Sequence, residues 1–212
     1  MMIKLILKEL KSHAPFTAFG AITGIILILV FQTLPPKTAY TIFYVLHPIH
    51  VFLSALVTAA IYELHTCRPG KNIIGKCNLW LLLFIGYVGS VGIATMSDSI
   101  IPYLGEILLN MPNRGIHLGF IEKWWLVNPL AVLGIIVAYL KPATKFPHAG
   151  HVLISTWASL FHILMAVGNK LDFFSYIIIL IFLFLAVWLP CCISDFIFPL
   201  LFVKKNDAPQ AL

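Results

Sequence analysis

The chain has 212 residues, of which 60% are hydrophobic and 10% charged, with a mean hydropathy of +0.97. A soluble domain is about half apolar and a quarter charged, so this composition excludes a chain that water alone solvates. The net charge of +6 is scattered over loops without the basic and aromatic stripe of a nucleic-acid reader, which excludes nucleic acid and leaves the lipid bilayer as partner.

Residues 1–14 carry Lys4, Lys8 and Lys11 at i, i+4 and i+7, with Leu5, Ile6, Leu7 and Leu10 between them. That spacing predicts a short amphipathic helix on the membrane surface. No small-residue cleavage pattern closes the apolar run before Gln32 and Pro35, so the segment is expected to stay attached. Six apolar stretches follow, at 16–33, about 40–65, 79–109, 124–140, 148–168 and 173–203. A helix crosses a bilayer with roughly 20 such residues, and lipid offers no partner to an open backbone, so each stretch is expected to be helical.

With the N-terminus inside, the inner segments hold Lys4, Lys8, Lys11, Arg68, Lys71, Lys76, Lys141, Lys145, Lys204 and Lys205. The outer loops hold only Lys37, Arg114, Lys123 and Lys170. The positive-inside bias therefore puts both termini in the cytoplasm, and the chain in the plasma (inner) membrane. Trp80, Trp124 and Trp125 fall near span ends, where interfacial aromatics belong. Cys67, Cys77, Cys191 and Cys192 lack the spacing of a secreted disulfide framework and read as thiols, with Cys191 and Cys192 as packing residues rather than soft ligands.

Four short matches recur in the same order in the two halves. Residues 21–26 match 131–136, and 34–38 match 140–144; 47–54 (HPIHVFLS) match 148–155 (HAGHVLIS), and 97–102 (SDSIIP) match 194–199 (SDFIFP). The last two carry the inference, because His and Asp are rare and costly in lipid. Three spans per copy is an odd number, so the second copy enters from the opposite side, as in transporters built from inverted repeats. The stretches 79–109 and 173–203 would each reach about 46 Å as straight helices, so each is expected to break or re-enter at its Ser-Asp element, near Pro102 and Pro199.

The expected fold is therefore all-α: a polytopic transmembrane bundle of about six spans, two three-helix inverted-topology repeats with broken third and sixth helices. Residues 1–14 form the interfacial helix, 15–110 the first repeat, 111–123 the connecting loop, 124–203 the second repeat and 204–212 a cytoplasmic tail. His47 and His50 share a helix face, as do His148 and His151. With Asp98 and Asp195 they offer an N/O ligand set for Zn²⁺, Mn²⁺, Fe²⁺, Co²⁺ or Ni²⁺, and Ser54, Ser97, Ser155 and Ser194 are placed to hydrogen-bond those ligands. Glu63 and Glu106 are weaker candidates for a gate or proton relay.

The expected function is a transporter or permease for a small ion, with a divalent transition metal favoured, rather than an enzyme. A homo-oligomer is compatible with it. Three alternatives stand beside it. Pro48 and Pro147 would put His47 and His148 in the first turns of their helices, whose positive ends suit an oxyanion substrate. A metal-dependent intramembrane hydrolase needs two His and an Asp. His148 and His162 are 14 residues apart, a separation suited to two stacked haems, but His47 has only Ile61 at that distance. The plainest reading is structural, since a membrane His or Asp can simply bond a neighbouring helix.

Overall fold

A computed structural model describes residues 2–31, 33–67, 78–142, 145–168 and 171–203, which are helical over most of their length and contain no strand. Helix α1 is Met2–Phe31, α2 is Pro36–Tyr62 and α3 is the helical stretch Leu79–Leu108. A short α4, Gly119–Glu122, leads into α5, Trp124–Leu140, and α6, Lys145–Ala166. Helix α7 is Phe173–Cys192, prolonged by Ile193–Ile197 and Phe198–Leu200. The loop bearing Arg68, Lys71 and Lys76, the tail 204–212 and Cys77 lie outside the described residues.

Four helices are long and apolar enough to cross a membrane: Ala14–Phe31, Pro36–Thr66, Leu79–Leu108 and Phe173–Cys192. Their outer faces are apolar, with Phe19 62% and Phe173 80% exposed, a surface that suits lipid and not water. Trp80, Trp124 and Trp125 stand exposed at helix starts, as expected of interfacial anchors.

Local chemistry sets the helix ends. Asn78 caps α3 by accepting from the amides of Trp80 and Leu81, and Asp172 caps α7 by accepting from that of Ser175. At the end of α3 the Met111 amide donates to the Glu106 carbonyl and the Asn110 amide to that of Ile107. This closing pattern requires a left-handed residue, supplied by Asn110 at φ 49°.

Three sequence expectations change. Residues 2–13 do not form a separate surface helix but continue through Pro15 into the first span, and the Trp188 indole donates to the Leu10 carbonyl at 2.8 Å, tying this end of α1 to α7. Pro48 does not begin α2; Pro36 does, which leaves His47 about three turns inside and removes the helix-end field proposed to draw an oxyanion there. The chain does not break or re-enter at Met96–Ile100, where it widens into a π-helical turn with right-handed helical dihedrals on both sides. A π turn passes the extra length without leaving the backbone unbonded, and it aims side chains off the regular spacing. Ile193–Ile197 is the same kind of turn, displaced by the same 97 positions that separate the two Ser-Asp elements.

Helices α2 and α6 cross antiparallel, because Phe43 meets His162 while His50 meets His151. Helix α5 runs parallel to α2: Gly119, ahead of α5, lies on His47, and Gly134, farther along, lies on Phe52 and Ala55. Helix α1 likewise runs parallel to α6, with Gly20 on Thr156 and Phe31 near Phe161. Among the described residues, the two largest apolar clusters fill most of the bundle. One joins α1, α2, α6 and α7 through Ile28, Phe43, Leu160, Ile163 and Leu183; the other joins α2, α3 and α5 through Ala55, Leu56, Ile85 and Ile135.

Candidate metal centre

The polar residues that lipid cannot accept meet between α2, α3 and α6. Asp98 is fully buried in the π turn of α3 and accepts four hydrogen bonds. His47 Nδ1 at 2.9 Å and His50 Nδ1 at 2.7 Å reach its Oδ2, while Ser97 Oγ at 2.7 Å and Ser155 Oγ at 2.9 Å reach its Oδ1. The three-residue spacing puts both imidazoles on one face of α2, and the wide turn brings the carboxylate under them.

Four donors use the lone pairs of an ionised carboxylate. Asp98 therefore stands behind the imidazoles, not beside them as a third ligand. By accepting from both Nδ1 atoms it leaves Nε2 as the one ring atom of each imidazole that can offer a lone pair, the way a carboxylate orients metal-binding histidines. Among the described residues the imidazoles are its only cationisable partners. A carboxylate buried among neutral donors remains costly, so the centre favours a positive charge close by.

His50 and His151 stack, with centroids 5.6 Å apart and planes 17° off parallel. One donor atom from each of His50, His151 and Cys191 lies within 4.8 Å of the other two, and all three residues are buried. Donors around tetrahedral Zn²⁺ stand roughly 3.4 to 3.8 Å apart, so a bound cation would draw the three in by no more than about 1.4 Å. Cys191 Sγ also lies 4.0 Å from Ser155 Oγ, the hydroxyl that bonds Asp98. Cys191 and Cys192 form no disulfide.

His47 lies one turn nearer the connecting segment, stacked on Phe43 with centroids 5.2 Å apart. Its Nε2 has no hydrogen-bond partner among the described residues, and a Cβ on Gly119 would sit 2.5 Å from it. Glycine is required for that close approach of α4.

Hydroxyls extend the centre along both helices. Ser155 Oγ lies 3.3 Å from Ser97 Oγ, and Ser54 Oγ lies 3.4 Å from Ser194 Oγ. Ser159 donates to the Ser97 carbonyl at 2.9 Å, and Thr58 Oγ1 lies 3.4 Å from that of Ser194. In the other direction, His162 Nδ1 is 2.7 Å from Glu106 Oε1, and its Nε2 is 3.2 Å from Ser99 Oγ. Outside the spans, Glu122 accepts from Tyr44 at 2.6 Å and lies 3.4 Å from His117 Nδ1. Burial alone would raise the Glu122 carboxyl, but the bonds from Tyr44 and His117 outweigh it and hold it below its ordinary value.

Of the residues singled out in the sequence, His47, His50 and Asp98 come together, His151 joins them across the helix crossing, Ser97 and Ser155 bond Asp98, and Ser54 and Ser194 pair with each other. The side chains of His148 and Asp195 lie outside the described residues. Cys191, read as packing, does pack with Val152 and Val187, and its sulfur also lies near His50 and His151; the signal for the second contact was its place three residues before the second Ser-Asp element. The His162 to Glu106 pair and the Glu122 anchor could not be read from spacing, because their partners lie 56 and 78 residues away. No family model, curated protein or solved structure matches the chain.

Proposed function

We propose that the protein carries a divalent transition metal across the membrane, through a centre assembled from two inverted three-helix repeats. The observation that carries this reading is the buried set of His50, His151 and Cys191 at the antiparallel crossing of α2 and α6, backed by Asp98. Each half contributes a donor there. Imidazole and thiolate donors suit Zn²⁺ and the later divalent metals, and the buried carboxylate disfavours an anion.

The packing supports the inverted repeat. Exchanging α1 with α5, α2 with α6 and α3 with α7 turns the Ser97 to Ser155 pair into the Ser194 to Ser54 pair. It also maps one π turn onto the other. Because α1 runs with α6 and α5 with α2, the first helices of the two copies point in opposite directions. In this reading α5, with 17 residues, and α6, with 22, complete six spans, since 17 residues reach about 25 Å. Both termini then face the cytoplasm and the connecting segment faces out.

The test is uptake into proteoliposomes of Zn²⁺, Mn²⁺, Fe²⁺ and Co²⁺ with an oxyanion in parallel, alongside metal analysis of purified wild-type, His50→Ala and Asp98→Asn protein. Metal uptake lost in both variants is expected. Flux of the anion alone would reverse the sign of the substrate, and no flux of any ion would remove the transport reading.

A further inference from the structure

The polar stripe on α6 ends in a pair that α2 lacks. His162 and Glu106 lie 2.7 Å apart with each side chain 1% exposed, whereas the matching positions hold Ile61 and Val203. The pair thus joins α3 of the first half to α6 of the second with no matching pair at the exchanged positions, and the metal centre makes no use of it. A second carboxylate oxygen, Glu106 Oε2, is fixed by the Gly115 amide at 3.2 Å.

An imidazole and a carboxylate removed from water hold one exchangeable proton between them. With that proton the pair is neutral overall; without it a lone negative charge stays in a low-dielectric interior. The pair also has contact in two directions. The His117 ring lies 5.3 Å from that of His162, and the His117 and Glu122 side chains are 25% and 34% exposed. Inward, His162 Nε2 reaches Ser99, the residue after Asp98. Among the described residues, the titratable groups on this side include His47, stacked on the Phe43 that also meets His162; Tyr40, which faces His117; Tyr44, which bonds Glu122; and Lys123, over the rings of Tyr40 and Tyr44.

We propose that His162 and Glu106 form a proton-binding site that couples metal movement to a proton moving the opposite way, exchanged with the outer solution through His117. One proton from solution converts a carboxylate beside a neutral imidazole into a carboxylate beside an imidazolium. It departs when a divalent cation in the centre adds positive charge to the same buried column. The inference rests on the transport reading and adds the coupling ion to it.

The test uses the full-length protein in vesicles enclosing a pH-sensitive dye, with the membrane potential clamped and Zn²⁺ added outside. Zn²⁺ entry should raise the internal pH, and an acid interior should speed entry several-fold. Glu106→Gln and His162→Gln should each abolish the pH change and the acceleration while retaining exchange of Zn²⁺ for Zn²⁺ at equal pH. Zn²⁺ entry without a pH change, or full acceleration in either variant, overturns the proton site and leaves metal transport standing. No Zn²⁺ movement in either format overturns both. If Glu106→Gln is not monodisperse on gel filtration, His162→Gln decides.

Discussion

Helices α2 and α6 carry the same polar stripe over three steps and then diverge. His50 answers to His151, Ser54 to Ser155 and Thr58 to Ser159, each facing the crossing or a π turn; at the fourth step α2 has a buried Ile61 where the His162 of α6 meets Glu106. The shared steps build what both halves need, a pair of buried hydroxyl contacts around each Ser-Asp turn. The unshared step joins His162 to Glu106, a contact with no counterpart at the matching positions Ile61 and Val203. Under the proposed duplication, the matched steps are the scaffold of the centre and the unmatched step is the place to look for a difference between the two faces.

The widest test of the matched part is the carboxylate. Asp98→Asn removes the charge and one acceptor from behind His47 and His50, and loss of an orienting carboxylate costs a metal site about 10- to 100-fold in affinity. Zn²⁺ titration of the purified variant should show that loss. Asp195→Asn should lose affinity to the same order if the halves are equivalent, and an unchanged Asp195→Asn would confine the centre to the first Ser-Asp turn.

Matched glycines give a smaller and opposed pair of effects. A Cβ on Gly134 would run into the Phe52 carbonyl of α2 and lie 3.0 Å from Ala55, and backbone cannot step aside. Gly134→Ala is expected to cost roughly 1 to 3 kcal/mol, as overpacking does. Its counterpart Gly24 faces only the mobile end of Leu183 at 3.2 Å, so Gly24→Ala should be near neutral, with up to about 1 kcal/mol regained from helix propensity. Unfolding in mixed micelles measures both, and equal losses would contradict the contacts described.

Much of this was legible in the sequence. The paired His and Ser-Asp elements located both π turns, because polar residues in an apolar chain are placed only where protein buries them. The face shared by His47 and His50 followed from helical spacing. Spacing could not show which nitrogen of each ring would point at Asp98, and so could not separate a ligand from the group that orients it. Nor could it reveal that Pro15 and Pro48 would be absorbed within helices, since neighbouring helices decide whether a proline ends a span.

Smaller again are the hydroxyls. Ser159→Ala removes one contact to the Ser97 carbonyl and Thr58→Val removes two to Ser194, its carbonyl at 3.4 Å and its hydroxyl at 3.1 Å, and such bonds between membrane helices average about 0.6 kcal/mol. Ser159, at 2.9 Å, should cost more than Thr58, whose carbonyl contact is 3.4 Å. The same unfolding assay ranks them, and a larger loss at Thr58 would mean that the second turn, not the first, is the tighter.

The least effect is expected in the segment between α3 and α5, which has no counterpart among the matched sequence elements. Glu122 joins that segment to α2 through Tyr44, to His117, and to the Leu118 amide at 3.2 Å. Its carboxyl is held below the ordinary value of 4.5, the hydrogen bonds prevailing over the opposing push of burial. A folded-state value below the unfolded one means that the anchor is fully present above about pH 4.5 and is lost as pH falls through the lower value. Amide exchange in residues 115–122 should therefore rise only at acid pH in the wild-type protein. In Glu122→Gln it should be raised already at neutral pH and change little on acidification. Exchange that responds to acid equally in both proteins would place the titrating group elsewhere and detach the segment's closure over His47 from Glu122.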